Sequence, residues 1–247
     1  MNGCRYFIQL SYRGTAFHGW QIQDGSRTVQ ETLEHSLSTI LQQKISTTGC
    51  GRTDTGVHAR FFIAHFDSDR ELLVKEDSLV FRLNSHLPDD IEISDIYRVK
   101  DNAHARFDAI SRTYEYHIIR HKDPFLADLA WQRNDSLAIG DMNKACDILL
   151  KHNDFTSFSK LHTDVKTNKC RISHAKWFST PGGYIFIIRS DRFLRNMVRA
   201  IVGTMIDIGT GKSDLPGFEH IIKSKDRARA GISAPARGLF LTLVEYP

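Results

Sequence analysis

"TVQETLEHSLSTIL", residues 28–41, decides how the first half of the chain folds. Val29, Leu33, Leu37, Ile40 and Leu41 recur at helical spacing, which draws one apolar stripe along the segment. Thr28 and Glu31 stand where a capping box would start the helix, a hydroxyl and a carboxylate each meeting a backbone N–H that no earlier turn can satisfy. Upstream the period is two: Tyr6, Ile8, Leu10 and Tyr12 share one face, as in a strand. Downstream, residues 45–50 and 61–66 read as two further strands, 74–87 as a second helix and 91–99 as a fourth strand. The order strand, helix, strand, strand, helix, strand is the ferredoxin-like arrangement.

The remainder repeats that logic, with strands expected at 112–120, 170–180, 183–190 and 238–246. Helices at 140–152 and 193–209, and a short one at 217–223, fill the gaps. The expectation is an α+β protein of two ferredoxin-like βαββαβ halves, residues 1–105 and 106–247, whose strands form a mixed or antiparallel sheet with helices on one side and a cleft between the halves. "HARF" occurs at 58–61 and again at 104–107, but at different places in the two patterns, so it marks no repeat.

Composition narrows the class. A chain of 247 residues, 41% hydrophobic, can bury a sizeable core. Thirty-three Lys and Arg against 29 Asp and Glu leave a net charge of +4, which permits a nucleic-acid partner without requiring one. Cys4, Cys50, Cys146 and Cys170 are scattered with no C-x-x-C pair, so neither a disulfide framework nor a zinc site is written, and a reducing, cytoplasmic setting fits. No uninterrupted apolar run of about 18 residues exists to span a bilayer, so no membrane role is expected.

Between the second and third strands lies "GCGRTDTGVHAR", residues 49–60. Gly49, Gly51 and Gly56 suit backbone shapes that residues with a Cβ resist, so the connection is expected to be a tight, shaped loop. Asp54 within it is either a turn cap or a reactive carboxylate presented by a rigid scaffold, and the loop alone does not choose.

The rest of the chain supplies context. "GRTDTGVHA", together with "FHGWQIQ" (17–23), "TVQETLE" (28–34), "LNSHLPDDI" (83–91) and "HARFDAISRTYEY" (104–116), resembles the TruA family of tRNA pseudouridine synthases. "FLRNMVRAIVG" (193–203) and "AGISAPARGLFLTLVEYP" (230–247) carry the resemblance to the last residue. Thr55 and Ala103 depart from the family pattern, in which an alanine and an aromatic residue are more usual.

This resemblance implies an isomerase acting on uridines 38, 39 and 40 of the tRNA anticodon stem-loop, with no metal or organic cofactor, a central RNA-binding cleft and a homodimeric assembly. It implies Asp54 as the nucleophile, whether by attack on C1′ or through a glycal. A carboxylate ionised inside a pocket needs a cation nearby, because desolvation favours the neutral form. Arg199 is the expected partner, and Arg195 is expected one turn earlier on the same helical face. Tyr114 is the residue expected to stack on a flipped uracil and approach C5, with Tyr116 as the other tyrosine on that strand face. Leu239 resembles the apolar wall of the uracil pocket, and Arg52 is assigned to the target nucleotide.

Extruding a partly paired base costs a few kcal/mol that phosphate contacts must cover. Candidates are Arg13, His18 and Trp20, then Lys160, Lys166, Lys169 and Arg171, and finally Lys223, Lys225, Arg227 and Arg229. His58 and His65 read as hydrogen-bonded structural histidines, with no Cys or Glu spacing around them to make a metal site. Two other classes compete: an RNA-binding module without chemistry, and a metal-dependent nuclease resting on the sparse carboxylates of "FDSD" (66–69).

Overall fold

A computed structural model describes residues 4–72, 78–160 and 167–247. The chain divides into two compact units, Met1–Ile110 with Leu241–Pro247, and Ser111–Phe240. The division expected at residue 105 thus falls a few residues later, and the last seven residues group with the first unit.

In the first unit the elements run β1 (Cys4–Tyr12), α1 (Val29–Leu41), β2 (Thr47–Gly49), β3 (His58–Ser68), α2 (Ser78–His86) and β4 (Ile91–Arg98). The strand order is β4-β1-β3, antiparallel throughout, with β2 also antiparallel on β3. The period-two reading of β1 holds: Tyr6, Ile8, Leu10 and Tyr12 are all buried. Phe7, on the opposite face, is buried as well because Tyr97, His65 and Tyr246 close over it.

Helix α1 buries Val29, Leu33, Leu37 and Leu41, each side chain contributing about 1.5–3 kcal/mol, whereas Ile40 is only half-buried. Its cap is made by Thr28, whose hydroxyl accepts the Glu31 N–H at 3.3 Å. The strand expected at 45–50 contracts to three residues. Helix α2 begins at Ser78, and the part of the expected helix before it, residues 74–77, lies outside the described residues.

The second unit contains β5 (Ser111–Ile119), β6 (Trp131–Gln132), α3 (Ile139–Leu149), β7 (Ile172–Thr180), β8 (Gly183–Ser190), α4 (Met197–Gly209) and α5 (Leu215–Ser224). Its strand order is β5-β8-β7, antiparallel, and the short β6 pairs parallel with β5. Strand β9 (Leu239–Glu245) begins in this unit, and its residues from Leu241 on belong to the first, where it neighbours β3. The architecture is mixed α+β.

Helix α4 is the most deeply buried element, apolar on nearly every side. It starts four residues later than the spacing suggested. Asn196, in the left-handed region at φ 66°, stands at its N-cap and interrupts the helical run, so Arg195 lies outside α4 and shares no helical face with Arg199. None of the described helices is long and apolar enough to cross a membrane.

Candidate functional site: a clamped aspartate turn

The loop after β2 is held before it reaches Asp54. Glu34 of α1 accepts hydrogen bonds from the Thr47 N–H at 2.7 Å and the Thr47 hydroxyl at 3.0 Å. Gln30 of the same helix donates to the Thr47 carbonyl at 2.9 Å. The strand that delivers the loop is therefore fixed to a buried helix by both of one residue's main-chain groups.

Asp54 itself opens a β-turn, its carbonyl accepting the Val57 N–H at 3.1 Å. Gly56 occupies the third position at φ +77°, a region that residues with a Cβ rarely adopt. The adjacent segment 12–20 grips this turn on both sides. Before Asp54, the Thr53 hydroxyl pairs with the Tyr12 hydroxyl at 2.9 Å, and the Thr53 carbonyl accepts the Trp20 N–H at 3.2 Å. After it, Gly56 N–H reaches the Phe17 carbonyl at 3.4 Å, and Gly14 N–H donates to His58 Nδ1 at 3.0 Å.

The approach is so close that Gly19, at φ +86°, has no space for a side chain. A Cβ there would collide with the Thr53 carbonyl oxygen and lie 3.1 Å from the Asp54 carbonyl carbon. Gly49 is small for a different reason, packing beneath the Trp20 and Phe62 rings, and Gly51 faces open space, so only Gly56 of the three loop glycines has the positive φ expected.

The expected site residues behave unequally. Asp54 is half-buried, Arg52 exposed and Arg13 exposed, its N–H tied to the Asp90 carbonyl at 2.9 Å. Trp20 is corrected: it is only 1% exposed and stacks on Phe62 at 4.2 Å, so its ring is a core group and only its main chain serves the loop. His58 and His65 are hydrogen-bond acceptors toward the Gly14 and Ala105 N–H groups. Burial, aided by Arg5 and His104, lowers His65 to about 4.

In the second unit, the two tyrosines of β5 separate clearly. Tyr116 is fully buried, donates to the Pro235 carbonyl at 2.8 Å and has its phenol pushed far up by desolvation. Tyr114 is half-buried and meets the Phe193 ring edge-on at 5.2 Å. Arg199 is half-buried, its Nε donating to the Ala234 carbonyl at 2.7 Å. Leu239 is buried at the start of β9, and Arg195 is exposed.

Among the basic candidates, Lys225 pairs with Asp154 at 2.9 Å, and Lys223 with Glu219 at 2.8 Å. Arg227 donates to the Ala230 and Gly231 carbonyls and the Ser233 hydroxyl, which makes it a strap across its own loop. Arg229 is exposed, beside His220 at 3.1 Å. Lys166 lies outside the described residues. Asp54 falls in one compact unit and Tyr114, Arg199 and Leu239 in the other.

Sequence reasoning missed Tyr12 and Thr53 as parts of the site. The available signal was the pair of glycines, Gly14 and Gly19, bracketing the segment that closes on the Asp54 turn.

Known proteins define the class and then the family. A family model described as tRNA pseudouridine synthase matches residues 145–247. Over 98% of this chain and 97% of the relative, the sequence is 51% identical to tRNA pseudouridine synthase A of Porphyromonas gingivalis. It is 50% identical to the protein of that name from Bacteroides thetaiotaomicron, covering 98% of this chain and 91% of the relative. Against the Bacillus subtilis protein of that name it is 37% identical, over 96% of this chain and 97% of the relative. The chain belongs to the tRNA pseudouridine synthase family, a group of isomerases, and within it to the synthase A type.

Proposed function

We propose that this protein converts uridine to pseudouridine at positions 38, 39 and/or 40 of the tRNA anticodon stem-loop, with Asp54 as the nucleophile and no metal or organic cofactor. The observation that carries the reading is the clamp on both sides of Asp54, in a chain whose relatives are named tRNA pseudouridine synthases. The reaction breaks the bond from C1′ to N1, turns the base, joins C1′ to C5, removes the C5 proton and leaves N1 protonated, so composition and redox state are unchanged. By direct attack or through a glycal, the carboxylate must be ionised when the flipped uridine arrives.

Arg199 supplies the guanidinium that favours this ionised form, its direction set by the Ala234 carbonyl. Tyr114 stacks on the extruded uracil and brings its phenol to C5. It is the better of the two tyrosines because Tyr116 is committed to the core. Leu239 lines the uracil pocket, Arg52 contacts the target nucleotide, and Arg13, Arg195, Lys225 and Arg229 contact phosphates. The scaffold is read as two ferredoxin-like halves with an RNA-binding cleft, working as a cytoplasmic homodimer.

The test is incubation with unmodified tRNA in EDTA, followed by mapping of pseudouridine. Modification confined to positions 38–40 is expected. RNA retention without product would favour a binding module, and cleavage abolished by EDTA would favour a nuclease.

A further inference from the structure

The reaction assigned to Asp54 depends on where one carboxylate is held, and the groups nearest it in the chain act on its backbone. Thr53 is the residue on which these restraints converge. Its side chain is buried, and its hydroxyl meets that of Tyr12 at 2.9 Å, a contact between residues 41 positions apart. Its carbonyl receives the Trp20 N–H at 3.2 Å. A β-branched side chain has few χ1 choices, so a hydroxyl fixed at one end and a carbonyl fixed at the other leave the peptide entering Asp54 little freedom.

Beyond Asp54 the turn itself adds a local constraint, through Gly56 and the Val57 N–H, to the contacts from Phe17 and Gly14. The upstream side has no such turn, and there the orientation depends on tertiary contacts. Tyr12 is otherwise a core residue at the end of β1, against Trp20 and Phe62. Its ring packs there, and its hydroxyl reaches Thr53.

We propose that the Tyr12–Thr53 hydroxyl pair is a positioning element for the reaction, setting the Asp54 carboxylate in its productive orientation without touching the substrate. This rests on the reading of Asp54 as the nucleophile. A misplacement of about 1 Å can cost on the order of 100-fold in rate, so the loss of one buried hydrogen bond at this point should register in turnover.

Tyr12→Phe and Thr53→Val should each lower kcat by about tenfold, as the net value of one hydrogen bond implies, with KM for tRNA unchanged. The double variant should be no slower than either single one, because both remove the same contact. Thr53→Ser, which keeps the hydroxyl, should restore most of the rate. Tyr6→Phe provides the structural comparison. Tyr6 is buried in the same strand, and its hydroxyl accepts the Leu72 N–H at 2.8 Å, at the end of β1 away from the loop. It should lose comparable thermal stability at unchanged kcat.

Equal kcat losses in Tyr6→Phe and Tyr12→Phe, additive effects of Tyr12→Phe and Thr53→Val, or wild-type kcat in Tyr12→Phe would each overturn the proposal. An Asp54→Asn enzyme that still turns over would instead remove the reading on which it rests, and the two failures are thereby distinguished.

Discussion

The turn at 54–57 and the strap at 225–235 are both short, polar and rich in groups that sequence patterns assign to function, yet they use them in opposite ways. Around the turn, the backbone is held by Tyr12, Trp20, Phe17 and the tight approach of Gly19, contacts that a distant segment makes to the main chain and to the Thr53 hydroxyl. In the strap, the charged side chain is the restraint: Arg227 holds two carbonyls and a hydroxyl, and Asn196 reaches the same Ser233 hydroxyl at 2.6 Å. Where other segments hold the main chain on both sides of a charged residue, replacing that side chain should leave the turn standing. Where the side chain itself satisfies part-buried carbonyls, as Arg227 does, removing it damages the fold first.

The sharpest way to break this contrast is to fill the space at residue 19. Gly19→Ala should cost about 2–3 kcal/mol through strain at φ +86° and the clash with Thr53, and kcat should fall by about 100-fold as the Asp54 turn shifts. Thermal unfolding and pseudouridine assays on one preparation would read both. If the variant were stable and fully active, the turn would not be held as described.

Tyr114→Phe probes a side chain that keeps its ring and loses its phenol. It should bind tRNA normally and turn over about 100-fold more slowly, the lower end of what a proton-transfer group contributes. Near-normal turnover would remove the phenol's role.

Within the basic cluster, Arg227→Ala should destabilise the protein by about 1–2 kcal/mol, since three part-buried acceptors lose a donor, while the salt dependence of tRNA binding stays the same. Arg229→Ala should do the reverse, leaving stability nearly unchanged and lowering the salt slope by about one unit if it meets a phosphate. Equilibrium unfolding and salt titrations of binding separate the two.

The smallest effect concerns pH. Folded His65 titrates at about 4 instead of 6.5, because burial, helped by Arg5 and His104, disfavours its charged form. As pH falls through this window the unfolded chain takes up the proton first, so stability present above pH 6.5 should decline toward pH 4. Unfolding midpoints of wild type and His65→Gln, measured across that range, should show a flatter profile in the variant.

Much of the fold was legible because periodicity reports one-sided burial: β1, α1 and β8 lie where their apolar spacing placed them. Boundaries were less so. The start of α4 depends on a left-handed Asn196, which its composition does not announce, and so Arg195 was wrongly put on a helix. Asp54, Tyr114 and Arg199 were singled out by motif resemblance. Tyr12 and Thr53 were not, since their contact is made only when distant segments close, and each alone reads as a strand or loop residue. Trp20 and Arg227 are ambiguous in sequence for a related reason. An aromatic beside a basic loop and an arginine in a cluster look the same whether they face RNA or the protein's own core and carbonyls.

The central claim is that the carboxylate of residue 54, held by its clamped backbone, performs the isomerisation. Single-turnover pseudouridine formation by Asp54→Asn at saturating tRNA tests it most directly, because the substitution keeps shape and removes charge. The account predicts tRNA bound as tightly as by wild type with no pseudouridine formed. Product accumulating at even a tenth of the wild-type rate would contradict it.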